Sequence, residues 1–339
     1  MDQKFFQKSE YQGLRKLYQH SPRNSQQLNG FNSSDTEIVK IKKNLFLASS
    51  TDSVAIEIHS KLYRHPETWG YLAVANSVSD LAASGTKPIG MLVSAQWGPA
   101  HTGIIKDKVY RSLSSALKKL GVPLLGGDSG SSHATVLTTT IIGESDLTPL
   151  NRIGIRPGDV VILFGQNLGY GPALAFDYLK NGSKRKLETL FRPTPDWRTI
   201  YTFRKYFKSS IDTSDGIYNS LVALAELNQV SFVVTLENLK LSKKVLTYKN
   251  EFKIPTPYFV ESDLGDLQTC IILDSSVYKK IKSKLPFHQV IACAERKSAA
   301  PVKYNDTVNR LDYTPLPDLL EQANFDYAKT LNHWLKQHS

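Results

Sequence analysis

The feature that most constrains the fold is a stretch from Ser49 to Gly85 that places carboxylates where a folding chain usually avoids them. A short apolar strand at residues 45–48 ends in the polar run Ser-Ser-Thr-Asp52. A helix-like segment from Glu67 to Ser84 follows; it is rich in Ala, Leu and Val, yet it carries Asp80 near its end. A carboxylate in such a place is costly unless a cation meets it. The stretch therefore predicts a folded core with a cationic group beside Asp52 and Asp80.

Two more acidic segments follow along the chain. They are Gly126-Gly-Asp128 and Asp212-Thr-Ser-Asp215-Gly. Taken singly, Asp52, Asp128 and Asp215 are each as well explained as helix caps or turn residues. Together, and flanked by Gly, Ser and Thr, the four segments favour a magnesium and phosphate site, because magnesium prefers oxygen ligands and is usually shared with substrate phosphates. Asp80 is the hardest to explain as a cap, since it lies inside an Ala-rich pattern.

The composition is that of a globular protein with room for two ordinary domains. The chain has 339 residues, of which 41% are hydrophobic, and no apolar run approaches the roughly 18 residues of a membrane span. The first residues do not read as a signal peptide. Cys270 and Cys293 lie in apolar strand-like runs without metal-ligand spacing, which predicts a buried reduced pair. We expect a cytoplasmic protein that does not contact membranes.

The formal net charge of +11 permits several kinds of partner. Part of the excess lies between Lys180 and Lys208, where no helix-turn-helix, zinc-finger or RNP-like motif occurs. Solvated helix faces are the commoner explanation, and nucleic acid is the less favoured partner. A phosphorylated small substrate or an acidic protein would also be attracted by this charge.

The order of predicted elements divides the chain into an extension and two domains. Residues 1–29 are polar and predict a helical or loosely attached extension. Residues 30–148 read as strand, strand, helix, strand, helix, strand, which predicts an α+β domain with its helices on one face of the sheet. Residues 149–330 form a second domain that begins with the turn Pro157-Gly-Asp and the strand 159–165.

Three other features carry a functional and a structural interpretation. The glycines at 165, 169 and 171 precede an Ala-rich helix, and such a loop can hold phosphate, but the spacing matches neither the dinucleotide nor the P-loop pattern. His59 either orients a substrate or is a structural hydrogen-bonding residue. Arg152 either pairs with a phosphate in a bidentate manner or is an exposed loop arginine.

Taken in order, the motifs STDS, HS, NSVSDLAASG, LLGGDSG, NRIGIRPGDVV, FRPTP and IDTSDGI resemble those of thiamine-monophosphate kinase. They place the chain in the wider superfamily of aminoimidazole ribonucleotide synthetase (PurM-like), selenophosphate synthetase and the hydrogenase maturation factor that dehydrates a carbamoyl group. The resemblance covers about residues 30–295. It implies a two-domain fold: an α/β N-terminal domain whose sheet closes into a barrel across a homodimer, and an α+β C-terminal domain. It also implies that ATP and Mg²⁺ bind between these domains.

The resemblance assigns roles to individual residues of this chain. The residues that correspond to magnesium ligands are Asp35, Ser50, Thr51, Asp52, Asp80, Asp128, Asp212 and Asp215. The residues that correspond to nucleotide contacts are Gly127, Asp128, Arg152 and Ser214. His59 corresponds to a substrate contact, and Asp52, Asp128 and Asp215 are the expected catalytic residues.

Two departures from the family pattern change the expected substrate. Where the family has Gly-Asp-Asp, this chain has Ser33-Ser-Asp35 and keeps only the second carboxylate. Where the family has Gly-Gly-Glu-Asp, whose Glu contacts thiamine phosphate, this chain has Asp263-Leu-Gly265-Asp266. The ATP side is largely kept and the substrate side is altered, so we expect thiamine monophosphate to be a poor substrate unless Asp266 reaches into the gap as a substrate contact.

Three functions remain open at this point. The first is a magnesium-dependent kinase that moves the γ-phosphoryl group of ATP to a small phosphorylated or hydroxylated acceptor, which the basic charge of the chain predicts to be anionic. The second is an ATP-dependent synthetase, of the dehydratase or cyclo-ligase type, that phosphorylates an amide or carbamoyl oxygen and then expels phosphate. The third is a non-catalytic nucleotide-binding homologue. The kinase is favoured, because phosphoryl transfer needs mainly positioning and charge neutralisation.

Overall fold

The computed structural model describes residues 9–101, 103–165, 168–180, 186–305, 315–322 and 327–338. The chain divides into two units: Met1–Gly154 with Arg192–Asp212, and Ile155–Phe191 with Thr213–Ser339. The first boundary lies near the one predicted at 148/149. Residues 192–212, which the sequence assigned to the C-terminal domain, instead return to the first unit. Within the described ranges, no helix is both long and apolar enough to cross a membrane.

The first unit is built on a five-stranded mixed sheet in the order β1-β2-β5-β3-β4. The β3–β4 pair is parallel, and the other three pairs are antiparallel. The strands are β1 (Glu37–Lys42), β2 (Leu45–Ser53), β3 (Lys87–Trp97), β4 (Leu124–Ser131) and β5 (Val136–Ser145), and the helices before the second unit begins are α1 (Ser9–His20), α2 (Ala55–His59), α3 (Pro66–Ala83) and α4 (Gly103–Leu120). The structure contains the predicted strands and helices in the predicted order and adds helix α2 and strand β4.

Helix α3 is the centre of this unit. Fourteen of its 18 residues are buried, so the helix has no face that is exposed to solvent along its length. It packs against β2 and β5 on one side and against α4 on the other. At Gly70 the helices approach so closely that a Cβ atom would lie 2.3 Å from the carbonyl oxygen of Val109. A helix that is apolar all round has to be covered on every side, and this explains why Asp80 lies in a predominantly buried segment.

The N-terminal extension is attached to the edge of the sheet. Residues 26–28 run beside β1, where the Leu28 amide donates to the Ile38 carbonyl at 2.9 Å and the Lys40 amide donates to the Gln26 carbonyl at 3.0 Å. The Tyr18 hydroxyl donates to the Glu37 carboxylate. The described part of the extension is therefore helical at Ser9–His20 and docked, and its residues 26–28 cover a strand edge that would otherwise present unpaired backbone groups.

The second unit contains a sheet with five of its strands in the order β11-β8-β10-β6-β9. Its elements are β6 (Asp159–Phe164), α5 (Tyr170–Leu179), α6 (Lys186–Leu190), α8 (Gly216–Asn228), β8 (Val230–Val234), α9 (Lys243–Glu251), α10 (Tyr258–Glu261), β9 (Thr269–Asp274), α11 (Ser275–Ile281), β10 (His288–Arg296), β11 (Val302–Tyr304), α12 (Leu316–Gln322) and α13 (Tyr327–Gln337). The segment that returns to the first unit carries α7 (Trp197–Phe203) and β7 (Ser209–Asp212).

The prediction of a buried cysteine pair is wrong for one of the two thiols. Both cysteines are free; Cys270 is buried in β9, whereas Cys293 is exposed on β10. Ala292 and Ala294, its neighbours in β10, are buried. Successive side chains of a strand point to opposite faces, so the apolar character of the run did not reveal which face Cys293 would take.

Candidate functional site

The alternation of β2 directs Ser50 and Asp52 toward α3. Phe46 and Ala48, which precede them on the same face, are buried. Because side chains two residues apart in a strand point to the same face, residues 50 and 52 point to this face as well. The Ser50 hydroxyl donates to the Asp80 carboxylate. The Ser77 hydroxyl of α3 donates to Asp52 Oδ2 at 2.8 Å. The first two acidic segments of the sequence therefore meet at the contact between β2 and α3.

Three carboxylates from distant parts of the sequence converge beside this contact. One oxygen from each of Asp35, Asp80 and Asp212 lies within 4.8 Å of the other two. Asp212 is the last residue of β7, and Ser79 of α3 donates to its Oδ2 at 2.6 Å. The Asp212 amide points to Asp35 Oδ1 at 3.5 Å. Hydroxyl and backbone donors thus fix the direction of the carboxylates in the cluster Asp35–Asp80–Asp212.

The electrostatics of the cluster call for a cation. Burial raises the pKa of the Asp80 carboxyl well above its ordinary value, and the negative charges of Asp52, Asp212 and Asp35 raise it further, while the Ser50 hydroxyl lowers it. Arg152 supplies one positive charge, because its Nη2 lies 2.7 Å from Asp35 Oδ1. Like charges held this close disfavour ionisation unless a cation compensates them.

The donor set of the cluster suits a magnesium ion. Three carboxylate oxygens from Asp35, Asp80 and Asp212 converge, and the Ser50 hydroxyl lies beside them. Magnesium binds oxygen ligands of this kind and usually keeps water molecules and substrate phosphates in its remaining positions. These residues fit the metal that the resemblance implies, and four of the predicted ligands are gathered here.

Asp128 does not join this cluster within one chain. It lies on β4, the exposed edge strand, where Gln96 Nε2 donates to its Oδ2 at 3.1 Å. In the sheet, Gly127 pairs with Val93, Val93 with Thr139, and Thr139 with Asp52. These four residues form one row across the sheet, and three strand spacings of about 4.8 Å place β2 and β4 about 14 Å apart. Asp52 and Asp128 of one chain are therefore too far apart to share a metal ion.

Ser214 and Asp215 lie in the second unit, at the start of α8. Ser214 is exposed and Asp215 is half-buried. Asp215 is the N-cap residue of α8, but its side chain makes no capping hydrogen bond. The alternative interpretation of Asp215 as an ordinary capping carboxylate therefore has no hydrogen bond to support it.

Gly265 has no room for any side chain. A Cβ atom there would lie 1.6 Å from the Thr213 carbonyl oxygen and 2.9 Å from the Gly216 amide nitrogen. The Gly265 amide also donates to the Ser214 carbonyl at 2.9 Å. The segment that carries Ser214 thus packs directly on the backbone of residue 265, so glycine is required where the family pattern has glutamate.

Asp266 is a buried structural carboxylate in this arrangement. It is 5% exposed, and it accepts hydrogen bonds from the amides of Gly169 and, at 2.8 Å, of Gly171. These amides form the N-terminus of α5, so the carboxylate occupies the place that a phosphate would take. The geometry favours a structural role for Asp266 over the substrate contact predicted for it. It also argues against phosphate binding at the described glycines of this loop.

His59 ends α2 and is exposed, as a substrate contact would have to be. A second histidine, not predicted from the sequence, lies near it. His101 bonds to the Thr135 hydroxyl, and its ring centroid lies 4.9 Å from that of Trp69. Burial lowers the pKa of His101, and the charge of His59 lowers it further. The charge of His59 therefore acts on the His101 imidazole.

Within the basic segment 180–208, the structure describes the surroundings of several arginines. Arg204 pairs with Asp146 and lies over the Tyr201 ring, Arg198 lies over the Trp197 ring at 4.6 Å, and Lys184 and Arg185 lie outside the described residues. The described arginines are engaged by neighbouring side chains. They give no support to the idea that this segment selects an anionic acceptor.

Ser77 and Ser79 are the site residues that the sequence analysis missed. Both are fully buried hydroxyls in α3 and each donates to a carboxylate. The available signal was the pattern Ser-x-Ser-Asp80 inside an Ala-rich helix, because a buried hydroxyl needs a partner. The sequence did not indicate that the partners come from β2 and β7.

Comparisons with known proteins agree with this architecture. Residues 33–145 match the AIR synthase related protein, N-terminal domain. Thiamine-monophosphate kinase of Buchnera aphidicola subsp. Schizaphis graminum is 26% identical over 295 residues, which are 84% of this chain and 89% of that protein. Thiamine-monophosphate kinase of Prochlorococcus marinus is 28% identical over 225 residues, which are 60% of this chain and 67% of that protein.

Among solved structures, AaThiL complexed with AMPPCP and TMP has a TM-score of 0.72 and 21% identity, and the match covers 89% of this chain and 94% of that one. Identity at this level shows the shared fold alone. The resemblance predicted from the sequence motifs is thereby confirmed: residues 33–145 match an AIR synthase related N-terminal domain, and the chain is similar in sequence to thiamine-monophosphate kinases and shares a two-domain fold with AaThiL.

Proposed function

We propose that the protein is a magnesium-dependent phosphotransferase that uses ATP to phosphorylate a small acceptor other than thiamine monophosphate. The observation that carries the proposal is the cluster Asp35–Asp80–Asp212, in which three carboxylates converge with a single arginine of the described chain, Arg152, beside them. The similarity to thiamine-monophosphate kinases supports ATP as the phosphoryl donor.

Each group of residues has a role in this proposal. Asp35, Asp80 and Asp212, with Ser50, would hold Mg²⁺, which neutralises the phosphate charge that builds up during phosphoryl transfer. Ser77 and Ser79 hold the carboxylates of Asp52 and Asp212 in position. Of the further residues inferred from the family pattern, Thr51, Asp52, Asp128 and Asp215 complete the proposed metal set, and Gly127, Arg152 and Ser214 bind the nucleotide.

A homodimer is the second part of the proposal. Asp52 and Asp128 are both inferred metal ligands, but their strands, β2 and β4, lie about 14 Å apart in one sheet. A second copy that approaches the site with its own β4 would bring its Asp128 to Asp52. Ile89 and Leu92 of β3 are exposed, and the association of two copies would cover them. A stable monomer in sedimentation at micromolar concentration would contradict it.

The altered acceptor follows from Gly265. The family glutamate that contacts thiamine phosphate has no counterpart, and the backbone packing at Gly265 excludes a replacement at that position. Asp266 is already bonded to Gly169 and Gly171. The loss of a charged substrate contact typically costs about 1.5–3 kcal/mol, or roughly ten- to a hundred-fold in affinity.

The test is product analysis by ³¹P NMR with ATP, Mg²⁺ and either thiamine monophosphate or a panel of small alcohols, amines and phosphorylated metabolites. We expect a new phosphoester with a panel member and little thiamine diphosphate. Asp80→Asn should abolish the product, whereas Asp146→Asn, which removes an exposed carboxylate, should not. Thiamine diphosphate formed at about 1 per second or faster would refute the altered acceptor. Free phosphate with a dehydrated or cyclised product would select the synthetase, and no turnover would select the non-catalytic homologue.

A further inference from the structure

Arg152 is held against the carboxylate cluster at several points. Its Nη2 lies 2.7 Å from Asp35 Oδ1, and its Nη1 donates to the Asn32 carbonyl at 3.2 Å. Its backbone amide donates to the Ser33 carbonyl at 2.8 Å. The side chains of Arg152 and Asp35 are only 12% and 2% exposed. The arginine inferred to bind nucleotide is therefore bonded, in this structure, to a residue inferred to bind metal.

These two roles compete for the same carboxylate. Asp35 Oδ1 accepts from the guanidinium and lies 3.5 Å from the Asp212 amide nitrogen. A divalent cation among Asp35, Asp80 and Asp212 would place two further positive charges close to Arg152, in a largely buried place where charge repulsion is strong. At the same time, the metal would neutralise the charge of the Asp35 carboxylate, so the attraction between this carboxylate and the guanidinium would weaken.

We propose that Arg152 is the internal counter-ion of the cluster and that a divalent cation displaces it from Asp35. The displaced guanidinium, a planar fork of N–H donors, is then available to a nucleotide phosphate. Metal binding therefore comes first and promotes phosphate binding through Arg152. Without metal, the Arg152 guanidinium stays bonded to Asp35 and does not bind a nucleotide phosphate. The loss of this contact weakens ATP binding in addition to the repulsion between the carboxylates and the phosphates. This inference rests on the proposed function, because it takes the cluster to be the metal site.

The first experiment is calorimetric titration of MgCl₂ alone, and then of ADP in saturating MgCl₂, into the full-length protein and two variants. Arg152→Met should bind Mg²⁺ at least about tenfold more tightly, because a competing charge is removed. It should bind ADP at least about tenfold more weakly, because a charge-assisted contact is lost. Arg204→Met is the matched control: it removes an arginine of the same unit that pairs with Asp146, and neither affinity should change. An unchanged Mg²⁺ affinity in Arg152→Met would overturn the proposal.

The second experiment uses the unmodified protein, so it holds even if Arg152→Met fails to fold. Crystals grown in EDTA and crystals grown in MgCl₂ without nucleotide are compared. We expect the bond between Arg152 Nη2 and Asp35 Oδ1 to be present in EDTA and broken when metal occupies the cluster. Metal in the cluster with the Arg152–Asp35 bond intact would overturn the inference and leave the proposed function standing. No metal binding at the cluster, by titration or in the crystals, would refute the metal site of the proposed function itself.

Discussion

Replacing Gly265 by alanine should destabilise the second unit, and replacing it by glutamate should not restore the family's substrate contact. A Cβ atom at 265 would lie 1.6 Å from the Thr213 carbonyl oxygen, so the segment that carries Ser214 would have to move away. Overpacking of this kind costs about 1–3 kcal/mol. The hydrogen bond from the Gly265 amide to the Ser214 carbonyl contributes about 0.5–1.5 kcal/mol. The expected loss in the free energy of unfolding is therefore roughly 2–4 kcal/mol.

The assay is denaturant unfolding of Gly265→Ala, Gly265→Glu and a control, Gly103→Ala. Gly103 is the first residue of α4, and a Cβ atom added there would have no described atom of another part of the chain within 4 Å. The control should therefore unfold at the same denaturant concentration as the unmodified protein or at a slightly higher one. For a unit of this size the loss at Gly265 corresponds to a melting temperature lower by roughly 5–15 °C. A Gly265→Ala protein within about 0.5 kcal/mol of the unmodified one would refute the packing argument. Faster turnover of thiamine monophosphate by Gly265→Glu would refute the steric reason given for the altered acceptor.

Three further predictions concern single groups. Ser79→Ala removes a buried donor to Asp212 and should lower the free energy of unfolding by about 1.5–3 kcal/mol and weaken Mg²⁺ binding in a titration, whereas exposed Ser114→Ala should change neither. Burial raises the pKa of Asp266 to about 7 although backbone amides lower it, so the folded protein holds a proton that the unfolded chain has released. The free energy of unfolding should therefore fall by roughly 2–3 kcal/mol between pH 5 and 8 in the unmodified protein, and by distinctly less in Asp266→Asn. Equal pH dependence of the two proteins in denaturant unfolding would contradict this. Cys293, the exposed thiol, should react with a thiol reagent in the folded protein. Its rate should rise with pH because the thiolate is the reactive form, and the rise should come at a higher pH than for an ordinary thiol because burial and the charge of Glu295 raise its pKa. Rapid reaction of both thiols would contradict the burial of Cys270.

The elements that could be predicted from sequence are those with a strong local pattern. The apolar runs that begin at Leu45 and Ile89 are strands, and the segment from Glu67 to Ser84 is a helix within a residue or two of its predicted ends. The docking of residues 192–212 on the first unit could not be predicted. It depends on long-range bonds, such as that from the Ser210 amide to the Asn151 carbonyl at 2.9 Å, and periodicity carries no information about such partners.

The site could be predicted residue by residue but not as an arrangement. The carboxylates in small-residue contexts included Asp80 and Asp212, which converge with Asp35. The position of Asp128 depends on the strand order β2-β5-β3-β4, which sets it apart from Asp52 and cannot be read from spacing along the chain. The pairing of Arg152 with Asp35 joins residues far apart in the sequence, and no local pattern indicates it.

The central claim is that Asp35, Asp80 and Asp212 form a metal site through which ATP is bound. Calorimetric titration of ATP in MgCl₂ and in EDTA, with the unmodified protein and with Asp80→Asn, tests it most directly. We predict saturable binding by the unmodified protein in MgCl₂ and at least about a hundredfold weaker binding in EDTA, because the carboxylates then repel the phosphates. Asp80→Asn should bind weakly in both buffers while keeping the far-ultraviolet circular dichroism of the unmodified protein. Tight binding of ATP in EDTA, or binding by Asp80→Asn that equals that of the unmodified protein in MgCl₂, would contradict the claim.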